Sequence, residues 1–188
     1  SNIDIPMYIG DKKVFTKDGI LIGEFGEIKR RSITFTEIPE NIKNAFLAAE
    51  DDNFFNHQGI SYTGLIRSFI RCLRPSGCEG GGGTITMQVV RGYLLTREQT
   101  VIRKIKEIFL ALELEGNLEK EEIFELYVNR IFLGNRSYGI EAAANTYFDK
   151  NLKELSISES ATIAALAQLP SRVNPVKDPR RTKLRRNW

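Results

Sequence analysis

The chain has 188 residues, 41% of them hydrophobic and 27% charged, with a net charge of only +3. Such a length holds one domain with a small appendage and a real core, and such a composition excludes a disordered chain. The small net charge gives no global signal for a polyanion, and no nucleic-acid partner is expected.

Val14-Phe15-Thr16 and Ile20-Leu21-Ile22 flank Lys17-Asp18-Gly19, and Asp-Gly between apolar runs marks a β-hairpin. Residues 1–36 therefore read as a short β segment, and 37–188 as the main domain. Pro39 opens a helix, with Ile42, Ala45, Phe46 and Ala49 on one face and Glu50 at its end. Residues 60–74 repeat the helical period through Leu65, Ile66, Phe69, Ile70 and Leu73. A breaker region from Pro75 to Gly83 follows, ending in four glycines, and helix restarts at Thr84-Ile85-Thr86-Met87-Gln88. Residues 97–115 form the clearest helix: Val101, Ile102, Ile105, Ile108, Phe109 and Leu112 share an apolar stripe, with Arg103, Lys104 and Glu107 on another side. Residues 119–133 and 157–168 are further helices, the latter opened by the capping box Ser156-x-x-Glu159 and closed by Pro170. The fold class is mainly α. The basic run from Lys177 to Arg186 reads as a solvated helix face, with anionic lipid as the other reading. Cys72 and Cys78 suit either a small disulfide loop or two free thiols, and no metal motif. No apolar run reaches the ~18 residues of a membrane span. With Ser1 in place of an initiating Met, an excised fragment is expected.

The richest chemistry lies in Glu50-Asp51-Asp52-Asn53-Phe54-Phe55-Asn56-His57-Gln58-Gly59. Acids at a helix end beside aromatic rings can hold a carboxylate partly dry, which raises its pKa toward the range useful for proton transfer. Arg103, Lys104 and Glu107 occupy one sector of their helix, so a carboxylate there sits among cations and stays ionised. The glycines before Thr84 lack the lysine of a phosphate-binding P-loop, which argues against a nucleotide triphosphatase. They still offer backbone N–H groups to an anion, with Arg91 and Arg97 nearby, or else form a plain surface loop. His57 is the sole histidine, which excludes a multi-histidine metal site within one chain and points to a structural hydrogen-bonding role. Glu125 and Asn129 share a helix face and read as scaffold.

Taken in order, Glu-Asp-x-x-Phe-x-x-His-x-Gly (50–59), Gly-Gly-Gly-Thr-Ile-Thr-Met-Gln (81–88), Arg-Lys-x-x-Glu (103–107), Glu-Leu-Tyr-Val-Asn-Arg-Ile-Phe-Leu-Gly (125–134) and the Ala-rich helix ending at Leu169-Pro170 resemble the five motifs of the family 51 peptidoglycan glycosyltransferases. The resemblance runs from about residue 20 to the end, and Gly23-Glu24-Phe25-Gly26-Glu27 looks like the bifunctional class A penicillin-binding proteins. Gly83, Met87, Gly92 and Ala167 stand where the family usually has Ser, Gln, Asn and Pro.

The resemblance implies a lysozyme-like helical domain with a smaller membrane-facing jaw around 60–83. It implies polymerisation of lipid II into β-1,4-linked glycan strands, with inversion and release of undecaprenyl diphosphate. Glu50 matches the general base, and Glu107 the second glutamate, which assists the leaving diphosphate directly or through a divalent cation (Mg or Mn); no tightly bound cofactor is expected. Asp51, Phe54, His57, Thr84, Thr86, Gln88, Arg91, Arg97, Arg103 and Lys104 match substrate-binding positions. Gly59, Glu125, Tyr127 and Asn129 match structural ones. The implied partners are lipid II, the growing strand and a membrane surface. The implied setting is the outer face of a bacterial inner membrane, with an N-terminal anchor and a transpeptidase domain lying outside this stretch. A lysozyme-like glycoside hydrolase acting on peptidoglycan is the alternative, and a non-catalytic glycan- or membrane-binding module a third; the cations around Glu107 argue against the hydrolase.

Overall fold

The computed structural model describes residues 12–15, 21–25, 32–61, 64, 83–93, 101–168, 175 and 178–187. Two compact units divide at Ser32/Ile33. In the first, β1 (Lys12–Phe15) pairs antiparallel with β2 (Leu21–Phe25), Lys12 opposite Phe25, with a register shift between Val14 and Phe15. The Asp-Gly signal thus does mark a hairpin, longer than its apolar triplets.

The second unit holds seven α-helices among its described residues: α1 (Glu40–Glu50), α2 (Ile85–Tyr93), α3 (Val101–Asn117), α4 (Lys120–Arg130), α5 (Ile140–Phe148), α6 (Ile157–Gln168) and α7 (Pro179–Arg186). The chain is mainly α, as the periodicities predict. Pro39, at φ −60°, sets the entry to α1, whose Ile42 and Phe46 are fully buried one turn apart. Capping boxes open α4 at Glu119 and Glu122 and start a single 3-10 turn at Thr34 and Glu37. At Ser156, backbone N and Oγ both donate to Glu159, beside Lys150. The Lys150 bond first, and then those from Ser156, hold the Glu159 carboxyl down at about 2.

Helix α1 packs on α6, α2 packs on α3 and α4, and α6 also packs on α7. Ile42, Phe46, Val90, Phe124, Val128, Ile163 and Leu166 form the centre of the core. Helix α5 has no counterpart among the sequence-predicted elements. It starts after Gly139, at φ +83°, and ends at Asp149 in the left-handed region, a short helix buried through Ile140, Ala143 and Ala144.

One helix is turned differently from its apolar stripe. On α3, Ile105, Phe109 and Leu112 are exposed, whereas Glu107, Ala111 and Leu114 point inward. Small Ala111 allows close approach, and Glu107 brings its own cationic partners. The predicted 60–74 helix and the jaw fall largely on residues 62–63 and 65–82, outside the described residues, as do Cys72, Cys78 and Arg97. No helix among the described residues is long and apolar enough to cross a membrane.

Candidate active site

The site is organised around α2. Its first amide, Ile85 N, donates to Asp51 Oδ2 at 3.0 Å, so the carboxylate just after α1 sits at the N-terminus of α2, where the helix dipole favours it. His57 Nε2 lies 3.0 and 2.9 Å from the two oxygens of Asp51, and both side chains are more than nine-tenths buried. Thr84 caps the same helix: its Oγ1 accepts from Met87 N at 3.2 Å and donates to Gly59 O at 2.6 Å. Gly59 takes φ +76°, and a Cβ there would lie 2.9 Å from Glu115 Cγ and 3.0 Å from Ala111 O. Asp51, His57, Thr84 and Gly59 thus tie the end of α1, the 51–60 turn, α2 and α3 together.

Two residues of α2 then reach the two glutamates. Gln88 Nε2 donates to Glu50 Oε2 at 2.7 Å. Three residues on, Arg91 Nε donates to Glu107 Oε1 at 3.2 Å. Positions three apart on a helix are surface neighbours, so Glu50 and Glu107 address adjacent turns of one face of α2.

Their surroundings differ. Burial pushes the Glu50 carboxyl above its ordinary value, and Asp51 adds to the rise; the Gln88 bond, the charge of Arg185 and the nearby amide of Gln168 oppose it. Glu50 Oε1 is buried with no hydrogen-bond partner. Around Glu107, burial likewise raises the pKa, but Arg91 and Lys104 outweigh it and hold the group below its ordinary value. Its ion pairs are Arg91 Nε at 3.2 Å, Arg103 Nε at 3.3 Å and Lys104 Nζ at 3.0 Å. The three cations keep 34%, 20% and 34% of their side-chain surface, whereas Glu107 keeps none. As placed, Glu107 meets its three cations, and they carry the exposed surface beside it.

A divalent cation does not fit this donor set. Both Glu107 oxygens face positive charge, and no cluster of three His, Cys, Asp or Glu side chains occurs among the described residues. No step is derived through a metal.

Phe54 and Thr86 have no exposed surface, so they shape the site from behind. Phe54 packs against Phe124 at 6.1 Å between centroids, with Lys120 Nζ 4.5 Å from its ring centre. Thr86 Oγ1 donates to Glu115 Oε1 at 2.5 Å, and Lys120 Nζ meets the same oxygen at 2.7 Å. On α4, Asn129 Oδ1 accepts from Ile33 N and its Nδ2 donates to Ile33 O, both at 2.9 Å, while Glu125 accepts from Phe35 N. These two side chains hold the 33–35 segment. Tyr127 lies between them in sequence, 3% exposed, its hydroxyl buried with no partner. Sequence reasoning did not single out Glu115, Lys120, Gln168 or Arg185. Gln168 closes α6 and donates to Ala49 O, a long-range contact with no local sequence signal.

Comparison with known proteins gives the family. The transglycosylase family model matches residues 18–188. The chain is 52% identical over 176 residues to penicillin-binding protein 1A of Pseudomonas aeruginosa, covering 94% of this chain and 21% of that protein. It is 46% identical over 175 residues to penicillin-binding protein 1A of Haemophilus influenzae, covering 93% of this chain and 20% of that protein. The crystal structure of the Haemophilus influenzae protein aligns at 32% identity with a TM-score of 0.49, covering 95% of this chain and 17% of that one. The chain belongs to the transglycosylase family, and its enzymatic class is peptidoglycan transglycosylase. It spans about a fifth of the length of the curated relatives it matches.

Proposed function

We propose that the chain polymerises lipid II into β-1,4-linked glycan strands, releasing undecaprenyl diphosphate with inversion at the sugar carbon. The observation that carries this reading is the pairing on one face of α2: a carboxylate with a raised pKa at Gln88, and a cation cluster at Arg91. A base and a developing diphosphate need those opposite environments.

In the proposed step the 4-hydroxyl of the acceptor loses its proton to Glu50 while its oxygen attacks the donor sugar carbon. The new C–O bond forms as the carbon–diphosphate bond breaks, and the electron pair leaves on the diphosphate. Arg91, Arg103 and Lys104 meet that charge. Glu107 is then a positioning residue, which gathers three mutually repelling cations on one spot. A hydrolase has no diphosphate to hold and no use for that cluster. The substrate implies an extracytoplasmic membrane surface as the place of reaction.

The test is Glu50→Gln with lipid II as substrate. The amide keeps the shape and can still accept from Gln88, but takes no proton. We expect polymer formation to fall at least ~100-fold, the usual scale of a lost general base, with unfolding temperature unchanged or higher. Retention of near-full rate refutes the assignment. Shortening of existing glycan by the wild-type chain would instead favour the hydrolase.

A further inference from the structure

Two buried oxygens at the base of the site lack partners: Glu50 Oε1 and the Tyr127 hydroxyl. Buried polar atoms are rarely left unpaired, because desolvation without a hydrogen bond costs free energy. The two belong to one neighbourhood. Phe46 lies one helical turn before Glu50 on α1, and its ring meets that of Tyr127 edge-on at 6.0 Å. Tyr127 thus sits beneath the last turn of α1. Burial, and then the Glu50 and Asp51 carboxylates, push its phenol well above the ordinary value, so it stays a proton-bearing donor.

We propose that Tyr127 is a positioning residue for the reaction, its hydroxyl holding Glu50 Oε1 through one bridging water, while Gln88 holds Oε2. The carboxylate is then fixed from two sides, by α2 and by α4. Asn129 and Glu125, which flank Tyr127 on α4, are occupied with the 33–35 segment, which anchors the helix that presents the phenol. This inference rests on Glu50 being the base.

A phenol donating to a carboxylate favours the ionised form. The other groups that act on Glu50 are Gln88 from α2, Gln168 from α6, Arg185 from α7 and the adjacent Asp51. Removing the hydroxyl leaves all of them in place. Activity that needs ionised Glu50 rises with pH through its pKa, so Tyr127→Phe should move the acid limb of the kcat/KM profile upward by about one pH unit, the scale of one hydrogen bond to a charged group. A carbon-13 NMR titration of the labelled Glu50 carboxyl in the full chain should shift by the same amount, independently of turnover. A purely structural tyrosine would lower stability or rate at every pH and move neither. An unmoved limb and an unmoved titration in folded Tyr127→Phe overturn the proposal. Should that variant not fold, 3-fluorotyrosine at position 127, a stronger donor, must move both readouts downward; no movement overturns it equally. If Glu50→Gln keeps near-full rate, the base assignment falls and this inference with it; loss in Glu50→Gln with no shift at Tyr127 ends only the role of the tyrosine.

Discussion

Replacing Glu107 by glutamine should cost stability in an amount set by its partners. Glu107 has no exposed surface and faces three cations at 3.0–3.3 Å. Breaking a buried ion pair by removing one member costs about 3–5 kcal/mol. Here the cations left behind keep 20–34% of their side-chain surface and can turn toward water. That relief brings the loss to about 2 kcal/mol, near one hydrogen bond to a charged group. For a chain of this size it amounts to a fall of about 4–8 °C in melting temperature. The pH dependence is the sharper reading. The folded-state pKa of Glu107 lies below its ordinary 4.5. Its stabilisation is therefore fully present above 4.5 and lost as pH falls through the folded value. Thermal unfolding followed by circular dichroism should show the gap between Glu107→Gln and wild type at about pH 7, closing as the pH falls below 4.5 through the folded value. Equal melting temperatures at neutral pH, or a gap that persists into acid, would refute the picture of an ionised carboxylate gathering the cluster.

Glu50→Gln should run the other way. The folded-state pKa of Glu50 is raised above 4.5, so ionisation penalises the folded form as pH rises from 4.5 through that value. The variant should match wild type in acid and exceed it at neutral pH in urea denaturation, while activity is lost. Gly139→Ala places a Cβ 2.7 Å from Asn129 O at φ +83°; we expect a loss of about 2 kcal/mol or more in the same assay, since backbone must shift. Asn129→Ala removes the bonds to Ile33 N, Ile33 O and Glu125 O; about 2–3 kcal/mol should be lost, with faster amide exchange at Ile33.

Much of this was legible in the residues because it is local. The spacing of Arg103, Lys104 and Glu107 along one helix predicts their ion pairs, and the Ser156-x-x-Glu159 capping box and Pro39 mark helix starts. The scaffold reading of Glu125 and Asn129 follows from polar groups on an apolar face, though their partners, Ile33 and Phe35, lie 90 or more positions away in the chain. What depends on how helices rotate against one another was not legible. Periodicity shows that α3 has an apolar stripe but not which way it faces, and the presence of Arg91 on α2 turns Glu107 inward and Phe109 outward. Helix α5 went unread because its nine residues are Ala-rich and lack a polar N-cap side chain. The contacts of Gln168 and Arg185 with the Glu50 neighbourhood come from chain segments that no local pattern connects.

Because Gln88 and Arg91 ride on one continuous helix, the offset between the proton-accepting half and the anion-holding half is a matter of pitch: three residues, about 4.5 Å of rise. The lengths of the segments before and after α2 do not enter into it. A single inserted residue between the two positions would swing one of them about 100° around the axis, uncoupling the halves while leaving each intact. The number of residues along this stretch is thus fixed by the site it serves.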